Sequence, residues 1–535
     1  MTPIRSLAVA AVLAGVSVSA PATSDWPQWR GPLSNGVLPA GPRLADQWPA
    51  EGLKLLWESE LIPGNDEGGH GSPLVAGNRV YLSVVWHTDV PSETRTITDL
   101  VMRQLGYQNP NALGKEVVAK MEAARESLSP QLRGAKLDEF IDRFIQENLD
   151  KRQQQTISGF VRGRFKKGKL AIPLGDYEKM NAMVDKPFAS EAAFKAWVDA
   201  QGFADFVREE LLKAVPPTRR VAEDTVICLD LHTGKTLWKT TAPGEPRGRN
   251  CSSTAALADG KVFAMGSTHL YAVDADQGKL LWSTPLPSKA PGSSVLAVDG
   301  RVVINAGKLT AYDGATGKQL WQHPKLGGGN GSPVAWKGGG KTVVILNARN
   351  ELAGLDLATG NLLWTTPGGG DSTPAILDDS LVVLTRNAQI GLLALKLRAD
   401  GVEKLWNHPL DLVRTQSSPV IHEGHVYLME DGTHWCFSLS SGEVRWKQLA
   451  PSTITSPVLA DGKLFVMQNN GNNVLMVRAT PDERVELGKA SVRALWCPTP
   501  TISGGRLIVR TEKNLKCYDL TAGAQQASQP PLLRP

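Results

Sequence analysis

The chain has 535 residues, among them 52 Gly, 35 Pro and 5 Cys, and a formal net charge of +5. That length holds one very large domain or several ordinary ones. The charge is small and dispersed, which argues against nucleic acid as a partner, and no apolar run is long enough for a membrane span.

Residues 1–22 read as a secretory signal. Arg5 gives the charged start, Leu7 to Val18 the short apolar core, and Ala20-Pro21-Ala22 the cleavage site. No Cys lies near the cut, so no lipid anchor is expected there, and an exported protein, periplasmic or extracellular, is. Residues 23–52, opening Trp26-Pro27-Gln28-Trp29-Arg30-Gly31-Pro32, read as an irregular arm packing its two Trp on the body. Leu53 to Leu61 reads as a single outer strand separated from its sheet.

Arg79 to Trp86 and Thr225 to Leu231 read as the second and third strands of one sheet. Residues 87–224 between them are far too long for a loop. Apolar residues recur at helical spacing over Lys115–Leu128, Leu137–Arg152 and Ala192–Ala214. This predicts a helical insertion, expected to cap the ring near His70 and Asp371. The basic run 162–169 within it reads as a solvated loop.

A repeat organises the remainder. In Leu309–Trp321 an apolar run ends in Asp313, a turn follows at Gly317-Lys318, and a second run ends in Trp321. The spacing recurs at Asp230, Gly234 and Trp238, at Asp274, Gly278 and Trp282, at Asp356, Gly360 and Trp364, and with Ser at Ser438, Gly442 and Trp446. Trp406 ends a stretched copy. From Trp238 to Trp446 the intervals are 44, 39, 43, 42 and 40 residues. A period near 40 with four short strands per unit predicts β-propeller blades. Trp57, Trp238, Trp282, Trp321, Trp364, Trp406 and Trp446 are expected to dock blade on blade.

A Ser or Thr opening each inner strand occurs eight times, at Ser72, Thr254, Ser294, Ser332, Thr373, Ser418, Ser456 and Thr499, and Pro follows in six. Pro at the first residue of a strand loses no ladder hydrogen bond. The expected fold is thus all-β, an eight-bladed propeller of four-stranded antiparallel blades over residues 53–86 and 225–520. The last copy, Thr499 to Leu520, has three strands. Leu53 to Leu61 supplies its fourth and closes the ring, removing the open edges. Residues 521–535 form a tail. Cys228, Cys436 and Cys517 share one repeat slot and read as small buried side chains. No CxxC pair is present, which excludes a c-type haem attachment and a zinc knuckle.

Two residues before the Ser/Thr slot, the inner ring supplies His70, Ser252, Gly292, Asn330, Asp371, Gln416, Ile454 and Cys497. The turns Asp259-Gly260, Asp299-Gly300 and Asp461-Gly462 and the Thr-Gly-Lys turns make one face short and uniform. The other face carries longer polar connections, at His269, Arg349-Asn350, Arg386-Asn387, His434, Asn469 to Asn473 and Lys513-Asn514. Function on such scaffolds sits on irregular loops. The candidate ligand-binding residues are therefore His70, Ser252, Asn330, Asp371, Gln416, Cys497, Arg349 and Arg386. No catalytic or metal-ligating set stands out.

The unit A-x-D-x-x-T-G-K-x-x-W, seen at Ala311, Asp313, Thr316, Gly317, Lys318 and Trp321, resembles the repeat of the pyrroloquinoline-quinone (PQQ) propeller superfamily. That superfamily holds quinoprotein alcohol dehydrogenases and non-enzymatic BamB-like propellers. The opening DWPQWRGP resembles exported PQQ-like propeller proteins of bacteria. For a dehydrogenase the resemblance implies PQQ with calcium, two adjacent Cys, an acidic metal ligand and an Asp base. Here no two Cys are adjacent, and Asp371 is the one acid in the inner ring. For a BamB-like propeller it implies a non-catalytic scaffold. The expected function is an exported monomer that binds a protein, peptide or envelope component on its loop face without a cofactor. The alternative is a PQQ-dependent alcohol or sugar dehydrogenase.

Overall fold

The computed structural model describes residues 24–521 apart from 65–67, 130, 247–251, 289–291, 411, 413–414, 431 and 451–455. The signal segment, Ile454 and nearly all of the tail lie outside the described residues. The described chain is mostly β, with eight four-stranded antiparallel sheets and one two-stranded sheet. The arrangement is consistent with a β-propeller. Six of the large sheets are consecutive strands in chain order, and one, Leu74–Ala76, Arg79–Pro91, Thr218–Asp230 and Thr236–Gly244, is interrupted by the insertion. The eighth joins Lys54–Glu58 to Leu515–Asp519, Arg506–Arg510 and Thr501–Ser503.

The Ser/Thr slot shows why these sheets assemble. In seven of the eight slots a described bond runs from the backbone N–H of the slot residue to the slot hydroxyl of the next sheet. Thr499 donates to Ser72 at 3.0 Å, Ser72 to Thr254 at 2.9 Å and Thr254 to Ser294 at 3.2 Å. Ser294 donates to Ser332, Ser332 to Thr373 and Thr373 to Ser418, each at 2.9 Å, and Ser418 to Ser456 at 3.0 Å. These groups are buried, so each bond satisfies a donor that would otherwise be orphaned.

The Asp-Thr-Gly turns are built as their residue types require. Asp313 Oδ1 accepts from Ala315 N, Thr316 N and Thr316 Oγ1, at 3.1, 2.8 and 2.7 Å. These bonds favour the ionised carboxylate and hold its pKa below the usual value. Gly317 has φ of 73°, and a Cβ there would lie 2.6 Å from the Trp282 ring of the preceding sheet. Indole donors cross the same seams: Trp57 Nε1 to Leu231 O at 2.7 Å, Trp282 to Gly314 O at 3.2 Å, Trp321 to Leu357 O at 2.9 Å, Trp406 to Leu439 O at 2.7 Å and Trp446 to Thr480 O at 2.8 Å.

The docking Trp are not equally enclosed. Trp57, Trp364, Trp406 and Trp446 are buried, whereas Trp238, Trp282 and Trp321 are only half-buried. Trp282, Trp321 and Trp364, which the repeat predicts to be largely buried between blades, range from half-buried for the first two to buried for Trp364. Sheet seven has no Trp of its own. Gly488 stands at the Trp position, paired with Met476 as Trp282 is with Ala272. Trp48 of the arm fills the space, 2.9 Å from where a Gly488 Cβ would be, with its ring centroid 6.2 Å from that of Phe465.

The arm runs along the first strands of the sheets. Trp26 pairs with Val75, Gln28 with Ala256 and Val37 with Leu459. Ser503 Oγ donates to Ser24 O, Asn35 Nδ2 to Ile376 O, and Arg30 to Pro419 O. These contacts reach the first strands of five of the eight sheets and the residue just before that of a sixth. Trp26 is buried as expected, and Trp29 is half-buried. Burial lowers the Arg30 pKa to about 9.

The insertion leaves sheet one on a ribbon. The paired strands run beyond Trp86 and before Thr225, as Arg79–Pro91 and Thr218–Asp230, in register from Arg79↔Asp230 to Pro91↔Thr218. At its end the helices form two cores, one around Met102, Tyr177, Phe194 and Leu211, the other around Met121, Ile141, Phe144 and Phe165. Neither cluster contains a residue of the eight large sheets. The insertion buries its apolar stripes internally, and the expected cap gains no contact from them. The predicted helix 192–214 is two, Glu191–Ala200 and Asp205–Ala214, broken around Gly202 with φ of 68°. The basic run is not a loop, since the helix Ser158–Lys167 takes up most of it. Arg164 turns inward to Glu122 and donates to Ile172 O at 3.0 Å.

Thr373→Val keeps the shape of a fully buried slot residue but removes the acceptor for Ser332 N–H. An unsatisfied buried donor costs about 1–3 kcal/mol, and denaturant unfolding should show a loss in that range. At the seams, Trp406→Ala should cost about 3–5 kcal/mol, the usual range for a buried large aromatic. Half-buried Trp282→Ala should cost measurably less in the same assay.

Candidate functional site

In an antiparallel four-stranded sheet, the start of strand one, the two-to-three connection and the link to the next sheet share one end. That end carries the Ser/Thr slots and the ribbon. Two buried Asn shape its glycine-rich links. Asn305 Oδ1 accepts from Gly328 N at 2.9 Å, and its Nδ2 donates to Gly331 O at 3.2 Å. Asn347 Oδ1 accepts from Gly369 N at 2.9 Å, and its Nδ2 donates to Ser372 O at 3.0 Å.

Between those links the structure joins three predicted site residues. Asp371 Oδ1 accepts from Asn330 N and Nδ2, at 3.0 and 3.2 Å, and Asp371 Oδ2 pairs with Arg386 at 2.8 Å. Arg349 is exposed on the neighbouring loop, beside Gly328. His70 is buried, its ring edge-on to Trp496 with centroids 6.0 Å apart, and Cys497, which follows Trp496 in the chain, is half-buried. Ser252 is half-buried and Gln416 exposed, and neither joins the Asp371 cluster in a described contact. Among the described residues, no three His, Cys, Asp or Glu side chains group so as to hold a metal ion.

A second feature of this face is an open groove of about 570 Å³ between sheets seven and eight. Asn470, Asn472 and Arg493 line one side, and Lys513, Asn514, Lys516 and Glu58 the other. Asn514 Nδ2 donates to Glu58, and Lys516 pairs with Glu58 at 3.4 Å. Asn470 and Arg493 have φ of 53° and 50°. Asn tolerates that region, but Arg there is uncommon. The loop residues Asn470, Asn472, Lys513 and Asn514 are legible from sequence. Glu58 and Arg493 are not, because they come from the detached strand and an inter-sheet link.

His434 is a correction. It reads as part of the polar loop face but is fully buried in the strand Thr433–Ser438. Its Nδ1 accepts from Arg484 Nε at 3.2 Å. Burial, aided by the Arg484 charge, pulls its pKa down to about 3. Asp224 is a buried acid that no repeat position marks. It accepts from Ser267 N at 2.7 Å and Tyr271 OH at 2.9 Å, bolting sheet one to sheet two, while burial raises its pKa.

Residues 222–448 match the family described as outer membrane protein assembly factor BamB. The BamB of Yersinia pestis is 25% identical over 268 residues, 46% of this chain and 65% of that protein. The tetrathionate hydrolase of Acidithiobacillus ferrooxidans is 29% identical over 227 residues, 37% of this chain and 44% of that protein. The solved BamB of Moraxella catarrhalis superposes with a TM-score of 0.47 at 17% identity, covering 56% of this chain and 90% of that one. The chain thus spans less than two thirds of the length of the Yersinia and Acidithiobacillus relatives. No helix among the described residues is long and apolar enough to cross a membrane.

The His434 environment sets a pH dependence. Its folded pKa of about 3 lies below the ordinary 6.5, so the unfolded chain binds the proton first as pH falls. Stability from this residue is fully present above pH 6.5 and drains away between pH 6.5 and 3. Urea unfolding at pH 7.5 and 5.5 should show a fall that narrows in His434→Gln.

Proposed function

We propose that the chain, whose residues 222–448 match the BamB family, is a BamB-like PQQ-repeat propeller and an exported, non-catalytic, eight-bladed scaffold that binds a protein partner of the cell envelope through its loop face. The observation that carries this reading is the polar groove between sheets seven and eight, where Asn470, Asn472, Arg493 and Lys513 meet on one open surface. Irregular loops on a rigid frame are where binding residues concentrate. The frame is stiffened on both sides of the groove, by the Ser/Thr bonds and by the arm beneath.

A PQQ-dependent dehydrogenase is the competing reading, and the channel mouth fits a quinone with calcium poorly. Asp371 is the one inner-ring acid, and both its oxygens are engaged by Asn330 and Arg386. No adjacent Cys pair exists in the sequence.

Charge reversal across the groove, Arg493→Glu with Lys513→Glu, should abolish in-cell cross-linking to the partner while leaving the far-UV circular dichroism unchanged. In parallel, micromolar PQQ with calcium should leave the absorbance of the purified protein unaltered. Quinone uptake with dye reduction by an alcohol or sugar would overturn the scaffold reading. Undiminished cross-linking in the double variant would move the site off this groove.

A further inference from the structure

The loop face carries a second patch, over sheets three to five and away from the groove between sheets seven and eight. In each of these three sheets the connection from the second to the third strand presents one basic residue. They are Lys308 in sheet three, Arg349 in sheet four and Arg386 in sheet five. All three are exposed, as is Lys325 on the link from sheet three to sheet four. The same connection in sheet six has Glu430-Asp431 instead, so the basic row ends there.

The glycine links hold the three bases side by side. A Cβ on Gly327 would lie 2.6 Å from Lys308 Cα, one on Gly328 would lie 3.5 Å from Arg349 Nε, and one on Gly370 would lie 3.2 Å from Arg386 N. Gly370 N donates to Ala348 O at 2.9 Å, and Arg386 N donates to Gly369 O at 2.7 Å. Close packing alone explains why glycine is needed at Gly327. Its consequence is a floor of main chain, with no side chain rising between one base and the next.

The charge of the row is largely unspent. Lys308, Lys325 and Arg349 make no ion pair and no side-chain hydrogen bond among the described residues. Arg386 pairs with Asp371, yet its side chain is 54% exposed, against 10% for that of Asp371. Asp371 is also held by Asn330, so it is engaged from both sides. Half-buried Glu351 is the other acid in these segments. Four bases thus stand against two acids, one of them locked, and the surface is positive.

We propose that this row docks an extended, acidic segment of a protein partner. Packed sheets lie about 10 Å apart, and an extended chain rises about 3.3 Å per residue. Acids at every third position of such a segment therefore meet Lys308, Arg349 and Arg386 in turn. The bare floor lets the main chain of the segment lie close. Single exposed ion pairs are weak and screened by salt, so affinity comes from the bases acting together. The proposal rests on the reading of the loop face as the binding face and adds the chemistry of what binds there.

The test uses the full chain and a synthetic Gly/Ser peptide with Glu at every third residue. One control replaces each Glu by Gln, and another has the same composition with its Glu clustered at one end. Calorimetric titration at low salt should show the spaced acidic peptide binding at least about tenfold more tightly than the Gln peptide, and more tightly than the clustered one. High salt should erase the difference. Lys308→Glu with Arg349→Glu should weaken the spaced peptide at least about tenfold, with circular dichroism unchanged because both side chains are exposed. Lys235→Glu with Lys318→Glu, the same change of charge on the short-turn face, should leave binding as it was. Equal binding of spaced and clustered peptides, equal loss in both double variants, or no binding at millimolar peptide would each overturn the proposal. Loss in Arg493→Glu with Lys513→Glu but not in Lys308→Glu with Arg349→Glu would also overturn the row, while leaving the loop-face reading in place. That reading stands or falls separately, on in-cell cross-linking.

Discussion

The hydrogen bond from one slot N–H to the next slot hydroxyl is the constraint on which the architecture rests. It asks two things of a single residue, a backbone donor at the start of an inner strand and a side-chain acceptor pointing back along the ring. Only Ser and Thr provide a short hydroxyl at that distance, which is why Ala or Val never fills the slot although the site is buried. Because each slot residue from Ser72 to Ser418 is donor to one neighbour and acceptor from the other, the bonds propagate from sheet to sheet. Everything farther out, from the turn glycines to the docking indoles, takes its spacing from that inner circle.

This is also why so much of the fold could be read from the chain. Slot, turn Asp, turn Gly and Trp are local patterns, and their repetition at one period signals the sheets before any contact is known. What stayed hidden was non-local or chemically disguised. Trp48 substitutes for the indole that sheet seven lacks, yet only the spatial neighbour Gly488 reveals it. His434 looks like a surface residue by type, but its strand is buried on both faces, so alternation gives no warning. The basic run at 162–169 follows a helix because Glu122, on another helix, receives Arg164. At the channel mouth, position in the repeat identified Asp371, Asn330 and Arg386, whereas the groove draws Glu58 and Arg493 from segments with no repeat phase.

The arm shows how an irregular segment can be held without a regular ladder. Its fastenings are single bridges, a few side-chain bonds and Arg30, whose NH2 donates to Asn35 O and Pro419 O. Arg510 does the same for the chain after the detached strand, donating to Ile62 O at 2.6 Å. Burial depresses the pKa of both guanidiniums to about 9. Several carbonyl dipoles take the place of a carboxylate partner for each. A planar group with five donors suits this role, where lysine would offer one point of charge.

The detached strand carries a consequence for the order of assembly. Lys54–Glu58 is made long before its partner Leu515–Asp519. The arm just before it needs inner strands from sheets spread over nearly the whole chain. Loop-closure entropy grows only slowly with the length enclosed, but contacts this distant form late. The growing chain therefore carries an unmatched strand and an unseated arm while seven sheets accumulate behind them. A strand made early becomes the final piece placed, and the eighth sheet is complete only from that moment.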